Sequence, residues 1–308
     1  MTQLVPAHYT QPMTSSLSLN TGNLSLTAVV ESQTPLLRPS EIFPDWRDDM
    51  RLQPSPWLAP QFYDAQSDKL VIAIQSFVIR TEGLTMLVDT CVGDHKQRER
   101  GEFNDGAWQW LNKLSAAGVA PEDVDIVVCT HLHVDHTGWN TRLSGGRWTP
   151  TFPNARYLFS RKEFDYWRSS AGAQALKRTG DYMEDSVLPI VESGQAQLID
   201  TRHSITPSIR LEEAAGHTPG HSIVHLEDGG AHAILAGDLM HHPLQVEHPD
   251  WSTRYCENAE AARATRRRFF CDHADSGALI LPSHFPAPTA GKLTREGAGF
   301  GFCFCSGC

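Results

Sequence analysis

Short apolar runs, each stopped by Gly, Pro or Asp, recur along the chain and predict strands more than helices. Asn23–Val30 alternates apolar and polar residues and reads as a first strand. Lys69–Arg80 and Leu84–Asp89, joined by Thr81-Glu82-Gly83, predict a hairpin. Further apolar runs at Val124–Thr130, Ala155–Ser160, Ile209–Glu213, Ala231–Ala236 and Ala278–Leu281 have strand length and break at Gly, Pro or polar residues. Helical spacing appears at Asp105–Ala117, through Trp108, Leu111 and Leu114 before Gly118, and again from Arg161 through Phe164 and Trp167. A last helix is expected over Asn258–His273, with Arg263, Arg266, Arg267 and Arg268 on an exposed face beside acidic partners. Residues 35–69 carry Pro35, Pro39, Pro44, Pro54, Pro56 and Pro60, a spacing that predicts a long irregular arm without elements of any length.

Four metal-competent side chains crowd the end of one of these runs. Val124–Thr130 stops at His131-Leu-His133-Val-Asp135-His136. Imidazole and carboxylate are zinc donors, and so many together repel one another when charged and cost heavily when desolvated without a partner. Three later strand ends supply similar groups: His217 after Ile209–Glu213, Asp238 after Ala231–Ala236 and His284 after Ala278–Leu281. Strand ends converging on one sheet edge are how a rigid scaffold presents a site.

The series His131-x-His133-x-Asp135-His136, then His217, Asp238 and His284, resembles the metallo-β-lactamase superfamily, over about residues 70 to 286. The resemblance implies an α/β fold, an αββα sandwich of two mixed β-sheets with helices on both outer surfaces. It implies a first metal held by His131, His133 and His217, a second held by Asp135, His136 and His284, and Asp238 bridging the two. Two divalent ions follow, Zn2+ foremost, with iron, manganese or cobalt as alternatives that the same donors accept. Histidine rather than glutamate at His133 argues for zinc hydrolysis over diiron chemistry, and the carboxylate at Asp238 points to the dinuclear hydrolases. Paired divalent ions lower the pKa of a shared water to about 7, giving a bridging hydroxide that opens a small lactone or ester, an acyl-homoserine lactone being one candidate. In that scheme Asp238 steadies the hydroxide and Asp135 passes a proton to the leaving oxygen. A phosphotriesterase is the alternative, followed at a distance by thioesterase, dehalogenase and β-lactamase chemistry. Residues 239–253 offer no Lys or Arg to hold a glutathione carboxylate, which lowers the thioesterase reading. A binding module without activity is disfavoured, because all seven ligand positions are filled. In the family, an insertion such as residues 139–207 roofs the substrate pocket.

Composition limits the partners. Lys and Arg number 26 against 36 Asp and Glu, a net charge of −10, so the chain has no basic footprint for nucleic acid. No apolar run reaches the length of a membrane span, and the N-terminus shows no signal-peptide pattern, which makes the cytoplasm the expected compartment. The organisation expected is an N-terminal strand and Pro-rich arm at 1–69, a catalytic region at 70–290 and a tail or edge strand at 291–308, with the arm a candidate homodimer contact. Phe300, Phe302 and Phe304 alternate as an edge strand would, while Cys303, Cys305 and Cys308 lack an evident fourth metal ligand. Trp139, Trp148, Trp167, Trp251 and Phe285 can serve pocket or core. Trp167, His241 and Phe285 are the candidate substrate contacts, with His242 beside them. Asp89, at the strand end under the cluster, reads equally as a turn cap or as the acceptor that orients a ligand histidine.

Overall fold

The computed structural model describes residues 14–17, 24–47, 58 and 60–305. The predicted strands form two mixed sheets stacked face to face. In chain order the first sheet and a small excursion comprise β1 (Thr14–Leu17), β2 (Ser25–Leu37), β3 (Tyr63–Asp64), β4 (Lys69–Thr81), β5 (Leu84–Val88), β6 (Ile126–Val128), the separate hairpin β7 (Thr141–Ser144) and β8 (Arg147–Pro150), then β9 (Arg156–Ser160) and β10 (Ala196–Ile199). The strand order is β1-β2-β4-β5-β6-β9-β10, antiparallel from β1 to β5 and parallel from there to β10, with β3 paired to β4. The second sheet runs in sequence order: β11 (His203–Thr206), β12 (Ile209–Glu213), β13 (Ser222–Asp228), β14 (Ala231–Gly237), β15 (Leu279–Pro282), β16 (Gly291–Glu296) and β17 (Gly299–Phe304).

Each strand divides its side chains between two faces because successive residues point to opposite sides. Phe77 and Ile79 of β4, Met86 and Val88 of β5 and Val128 of β6 meet Leu211, Val224, Leu235 and Leu281 in the core between the sheets. The alternate positions, Val78, Leu87 and Val127, face outward against Trp110, Leu114 and Tyr182. On the far side, Ile223, Ile234 and Ile280 pack under Phe269 and Phe270 of the long helix Ala259–His273. The result is an αββα sandwich.

The β4–β5 hairpin turns at Glu82 (φ 52°) and Gly83 (φ 77°), the paired positive angles that match the twist of a two-residue turn. Ser160 accepts a hydrogen bond from the Glu163 amide and starts the helix Arg161–Trp167, and Asn258 caps Ala259–His273 in the same way.

Three expectations need correction. The first strand does not stop at Val30: β2 continues to Leu37 along β4, absorbing Pro35 between register shifts at Val30/Ser32 and Pro35/Leu37. Among the described residues β1 covers only Leu26–Val29 of β2, and no other described strand pairs with the distal half on that side, where a residue without an amide proton is tolerated. The arm also holds the turn of helix Pro39–Ile42; Pro54 and Pro56 lie outside the described residues. The helix predicted from Asp105 begins at Trp110, because the Asp94 carboxylate accepts from the Trp108 and Gln109 amides and Gln109 takes a left-handed φ of 55°. Trp110, not Trp108, is consequently the buried anchor. Finally, Arg266 is buried. It donates to the carbonyls of Leu239, Pro249 and Trp251 and ties the helix to the loop after β14, whereas Arg267 and Arg263 pair at the surface with Asp250 and Asp45.

The tail forms the edge pair β16–β17, in which Phe300, Phe302 and Phe304 pack on the third core. Cys303 carries no disulfide, and Cys308 lies outside the described residues. Among the described residues no helix is long and apolar enough to cross a membrane.

Candidate metal centre

The carboxyl ends of β6, β12, β14 and β15 open on the same edge of the sandwich, and each is followed by one part of the predicted ligand set. His131, His133, Asp135 and His136 follow β6, the last two on a helical turn at Val134–Thr137. His217 follows β12, Asp238 follows β14 and His284 follows β15. The structure brings all seven side chains together. Donor atoms of His131, His133, His217 and Asp238 lie within 4.8 Å of one another, as do those of Asp135, His136 and His284.

Asp238 stands between the two groups. Its Oδ2 is 3.1 Å from His217 Nε2 and 3.6 Å from His131 Nε2, while its Oδ1 is 3.2 Å from His136 Nε2 and 3.1 Å from His284 Nε2. His133 Nδ1 closes the first group at 3.0 Å from His131 Nε2 and 2.9 Å from His217 Nε2. Asp135 joins the second, 3.6 Å from His284 Nε2 and 3.9 Å from His136 Nε2. Bonds of about 2.0–2.2 Å in a tetrahedral set place neighbouring ligand atoms roughly 3.3 Å apart.

The chemistry of the donors fits a pair of divalent ions. His136 Nε2 and Asp238 Oδ1 are buried and face each other, yet neither makes a hydrogen bond. Two buried lone-pair donors in that relation call for a cation between them. Burial holds His131 and His133 well below the ordinary histidine range and brings His217 to about 3, so all three are neutral donors. His136 and His284 are also penalised by burial, but the Asp238 carboxylate overrides it and raises both. Asp238, though buried, is held well below the carboxylate range by His136 and His284. Positive charge is therefore demanded between these groups, and a dication held there would supply it in place of protons.

A surrounding set of hydrogen bonds aims the ligands. Asp89, at the end of β5, accepts from His136 Nδ1 at 2.8 Å and from the Thr130 amide and hydroxyl. Both readings of Asp89 hold together: it caps the turn and orients a histidine. His284 Nδ1 donates to the Ala73 carbonyl at 2.8 Å. Gly138 N donates to the Cys91 carbonyl at 2.7 Å, and a Cβ on Gly138 would stand 1.7 Å from the Val92 oxygen, so only glycine allows this loop to lie against residues 91–93.

Two residues outside the sequence reading belong to this scaffold. Glu163 is buried and accepts from the Leu132 amide, Trp167 Nε1 and the Gly220 amide, stapling the His131–His136 loop to the His217 loop. His221 accepts the Asp238 amide at 3.0 Å. A buried position for Glu163, two residues into an amphipathic helix, was the available signal, since a carboxylate there needs donors.

A cavity of about 300 Å³ opens over the ligands. Its floor includes His133, Asp135, Asp238 and His284. Leu36, Leu37, Ile42, Ile72, Ile74 and Phe103 form an apolar wall. Ala175, Arg178 and Thr179 from the 139–207 segment and Arg100, Arg254 and Tyr255 complete the rim. Trp167 and His241 line the cavity. His241 Nε2 lies 3.1 Å from Asp238 Oδ2, with its ring stacked on His284. Phe285 does not reach it: its ring is fully buried against Phe302 and Phe304, because the strand end that points His284 into the site turns its neighbour to the outer core. His242 bonds the Phe62 carbonyl, Trp139 donates to Glu31, Trp148 sits under Lys96 and Trp251 packs with Phe43 and Trp46.

Comparison with known proteins agrees with this geometry. A family model described as the metallo-beta-lactamase superfamily matches residues 71–288. An N-acyl homoserine lactonase of Bacillus sp is 24% identical over 179 residues, 54% of this chain and 63% of the relative. The N-acyl homoserine lactonase AttM of Azorhizobium caulinodans is 43% identical over 54 residues, 18% of this chain and 17% of the relative. The matched region thus spans less than two thirds of these lactonases. Among solved structures, the hydrolase AbOPH of the beta lactamase superfamily superposes with a TM-score of 0.78 at 22% identity, covering 94% of this chain and 97% of the other. AidC, a dizinc quorum-quenching lactonase crystallised with a homoserine product, gives 0.76 at 21%, covering 96% and 98%. With its family model, fold and ligand series in agreement, the chain belongs to the metallo-beta-lactamase superfamily.

Proposed function

We propose that this protein is a metal-dependent hydrolase that opens small lactones carrying an apolar acyl arm, N-acyl homoserine lactones foremost. The observation that carries the reading is one cavity with four of the seven cage residues, His133, Asp135, Asp238 and His284, as floor and an aliphatic wall at its side. His131, His133, His217 and Asp238 would hold one divalent ion; Asp135, His136 and His284, with the other Asp238 oxygen, would hold a second, zinc foremost. Bound there, such ions supply hydroxide at neutral pH and polarise a carbonyl.

The chain's own residues divide the remaining work. Leu36, Leu37 and Ile72 take the acyl arm, each buried methylene of which contributes about 0.8 kcal/mol. Asp135 is 16% exposed against 3% for Asp238, so Asp135 faces the substrate while Asp238 stays in the cage. Asp135 would relay the proton of the attacking hydroxide to the departing alkoxide, leaving the ring-opened product as a carboxylate, and Asp238 would orient the attacking oxygen. Trp167, fixed through its indole N–H on Glu163, and His241, fixed on Asp238, shape the rim around the lactone ring. The Arg100 guanidinium lies over the Phe103 and Tyr255 rings at the rim, where a carboxylate released by ring opening would meet it.

The test is metal content by elemental analysis with hydrolysis of acyl-homoserine lactones of graded chain length, aryl esters and a phosphotriester. Near two zinc per chain, fastest turnover of one lactone length and loss of activity in His133→Ala support the reading. Turnover of the phosphotriester alone replaces it with the alternative chemistry; less than one metal per chain, with none recovered on adding zinc, overturns it.

A further inference from the structure

A second cluster of metal-competent side chains sits on the opposite face of the second sheet, away from the cavity. Along β13, Val224 and Leu226 turn into the core between the sheets, so His225 and Glu227 point outward. The same alternation sends His232 of β14 outward beside Ala233, and Arg210 and Glu212 of β12 outward beside Leu211. β13 leaves the catalytic edge at Ser222, and β14 reaches Asp238 six residues after His232, which puts His232 about 20 Å of strand from the cage. The helix Ala259–His273 covers Ile223 and Ile234 and ends over this patch. His273 brings its ring centroid to 6.0 Å from both His225 and His232.

The contacts within the patch leave its strongest donors facing one another. His225 Nδ1 lies 2.9 Å from His232 Nε2, and His232 Nε2 lies 3.8 Å from Glu227 Oε1. The donor atoms of these three residues fall within 4.8 Å of one another. His225 is only 1% exposed. Its other nitrogen, Nε2, stands 3.2 Å from Glu212 Oε2 in a geometry that makes no hydrogen bond. Burial and the neighbouring Arg210 hold His225 at about 3, and burial also lowers His232, so both rings are neutral. A hydrophobic sheet face under a helix has no structural need for a buried, incompletely bonded imidazole.

We propose that His225, His232 and Glu227 form a separate binding site for a divalent transition-metal ion, with Glu212 orienting His225. His225 Nδ1, His232 Nε2 and the Glu227 carboxylate supply three ligands, the nitrogen-rich mixture that suits zinc. Glu212 Oε2, 3.2 Å from His225 Nε2, would accept its proton once an ion fixes the ring, the usual way a carboxylate orients a ligand imidazole. The fourth position is open toward His273 and solvent. Arg210 bridges Glu212 and Glu227 at 3.2 Å each, competing with the ion for Glu227 and with His225 for Glu212.

The test is titration of the full-length protein with Zn2+ by calorimetry, after loading to two zinc per chain and removing the excess. Wild type takes up one further equivalent. His232→Ala, at a partly exposed position, removes it; Glu212→Gln weakens it by about ten- to a hundredfold; Arg210→Gln tightens it. Lactone hydrolysis by His232→Ala stays at the wild-type rate, and its melting curve shows whether the fold is intact. An absent third equivalent in wild type, or one that survives in both folded His232→Ala and Glu227→Gln, overturns the proposal.

Discussion

Asp89 accepts a hydrogen bond from His136 Nδ1 at 2.8 Å, and this contact decides which face of the imidazole meets the metal centre. With Nδ1 protonated, Nε2 presents its lone pair toward Asp238 Oδ1. Asp89→Asn keeps the size but offers either a weaker acceptor or an amide N–H that opposes the Nδ1–H. Metal affinity at the Asp135/His136/His284 group falls about ten- to a hundredfold, while the His131/His133/His217 group retains its ion. Competition with a chromogenic chelator separates the two affinities; equal loss from both, or loss from neither, contradicts the assignment.

Stripping metal from the protein leaves His136, His284, Asp135 and Asp238 to balance charge with protons in a buried space. A ligand present at a thousandfold its Kd stabilises by about 4 kcal/mol, so chelation lowers the thermal midpoint by several degrees and zinc restores it. Scanning calorimetry with and without chelator checks this. An unchanged midpoint together with confirmed metal loss contradicts it.

On the proposed lactonase reading, the aliphatic wall sets chain length. Leu36 is half-buried on the distal part of β2, and Leu36→Trp fills the space beside Leu37 and Ile72. KM for long-chain lactones rises, about tenfold for a loss of two buried methylenes at 0.8 kcal/mol each, while short-chain substrates are little changed. A chain-length series of kcat/KM for both proteins is the measurement, and a uniform fall across the series contradicts the placement.

Glu31 is buried and accepts from the Val92 and Gly93 amides and from Trp139 Nε1. Burial outweighs these donors and pushes its carboxyl up to about 7. Between the ordinary 4.5 and this value the folded chain binds a proton that the unfolded chain has released, so stability falls as pH rises through that window. The contribution is fully present below about pH 4.5 and lost as pH passes 7. Denaturant melts at pH 5 and pH 8 should show wild type losing about 2.5 kcal/mol relative to Glu31→Gln, which has no such titration. Parallel pH profiles for the two proteins contradict the shift.

The ligand series was legible because its parts are local: each donor follows an apolar run, and His131–His136 is dense enough to need a metal. The hairpin, the long C-terminal helix and the edge strand were legible from periodicity for the same reason. What could not be read depends on distant partners. Pro35 sits in a strand because β4 pairs with it from one side while, among the described residues, β1 reaches only Leu26–Val29 on the other. Arg266 is buried only because three carbonyls from the loops after β14 come to meet it. Phe285 looked like a pocket residue because it adjoins His284, and alternation along the chain turns the two to opposite sides. The inward side of its helix hinted at Glu163, but nothing in the sequence pointed to the Leu132 and Gly220 amides it holds, 31 residues before it and 57 after it.

The contact between Gly138 and residues 91–93 has a consequence for how the centre tolerates change. Where side chains set a spacing, a neighbour repacks and the gap drifts. Here two bare stretches of main chain touch, and peptide thickness acts as a gauge block between the loop that ends in Asp89–Val92 and the turn that carries Asp135 and His136. The placement of those donors is therefore insulated from variation in the surrounding core. A substitution in the aliphatic wall is accordingly expected to leave the spacing of the cage unchanged.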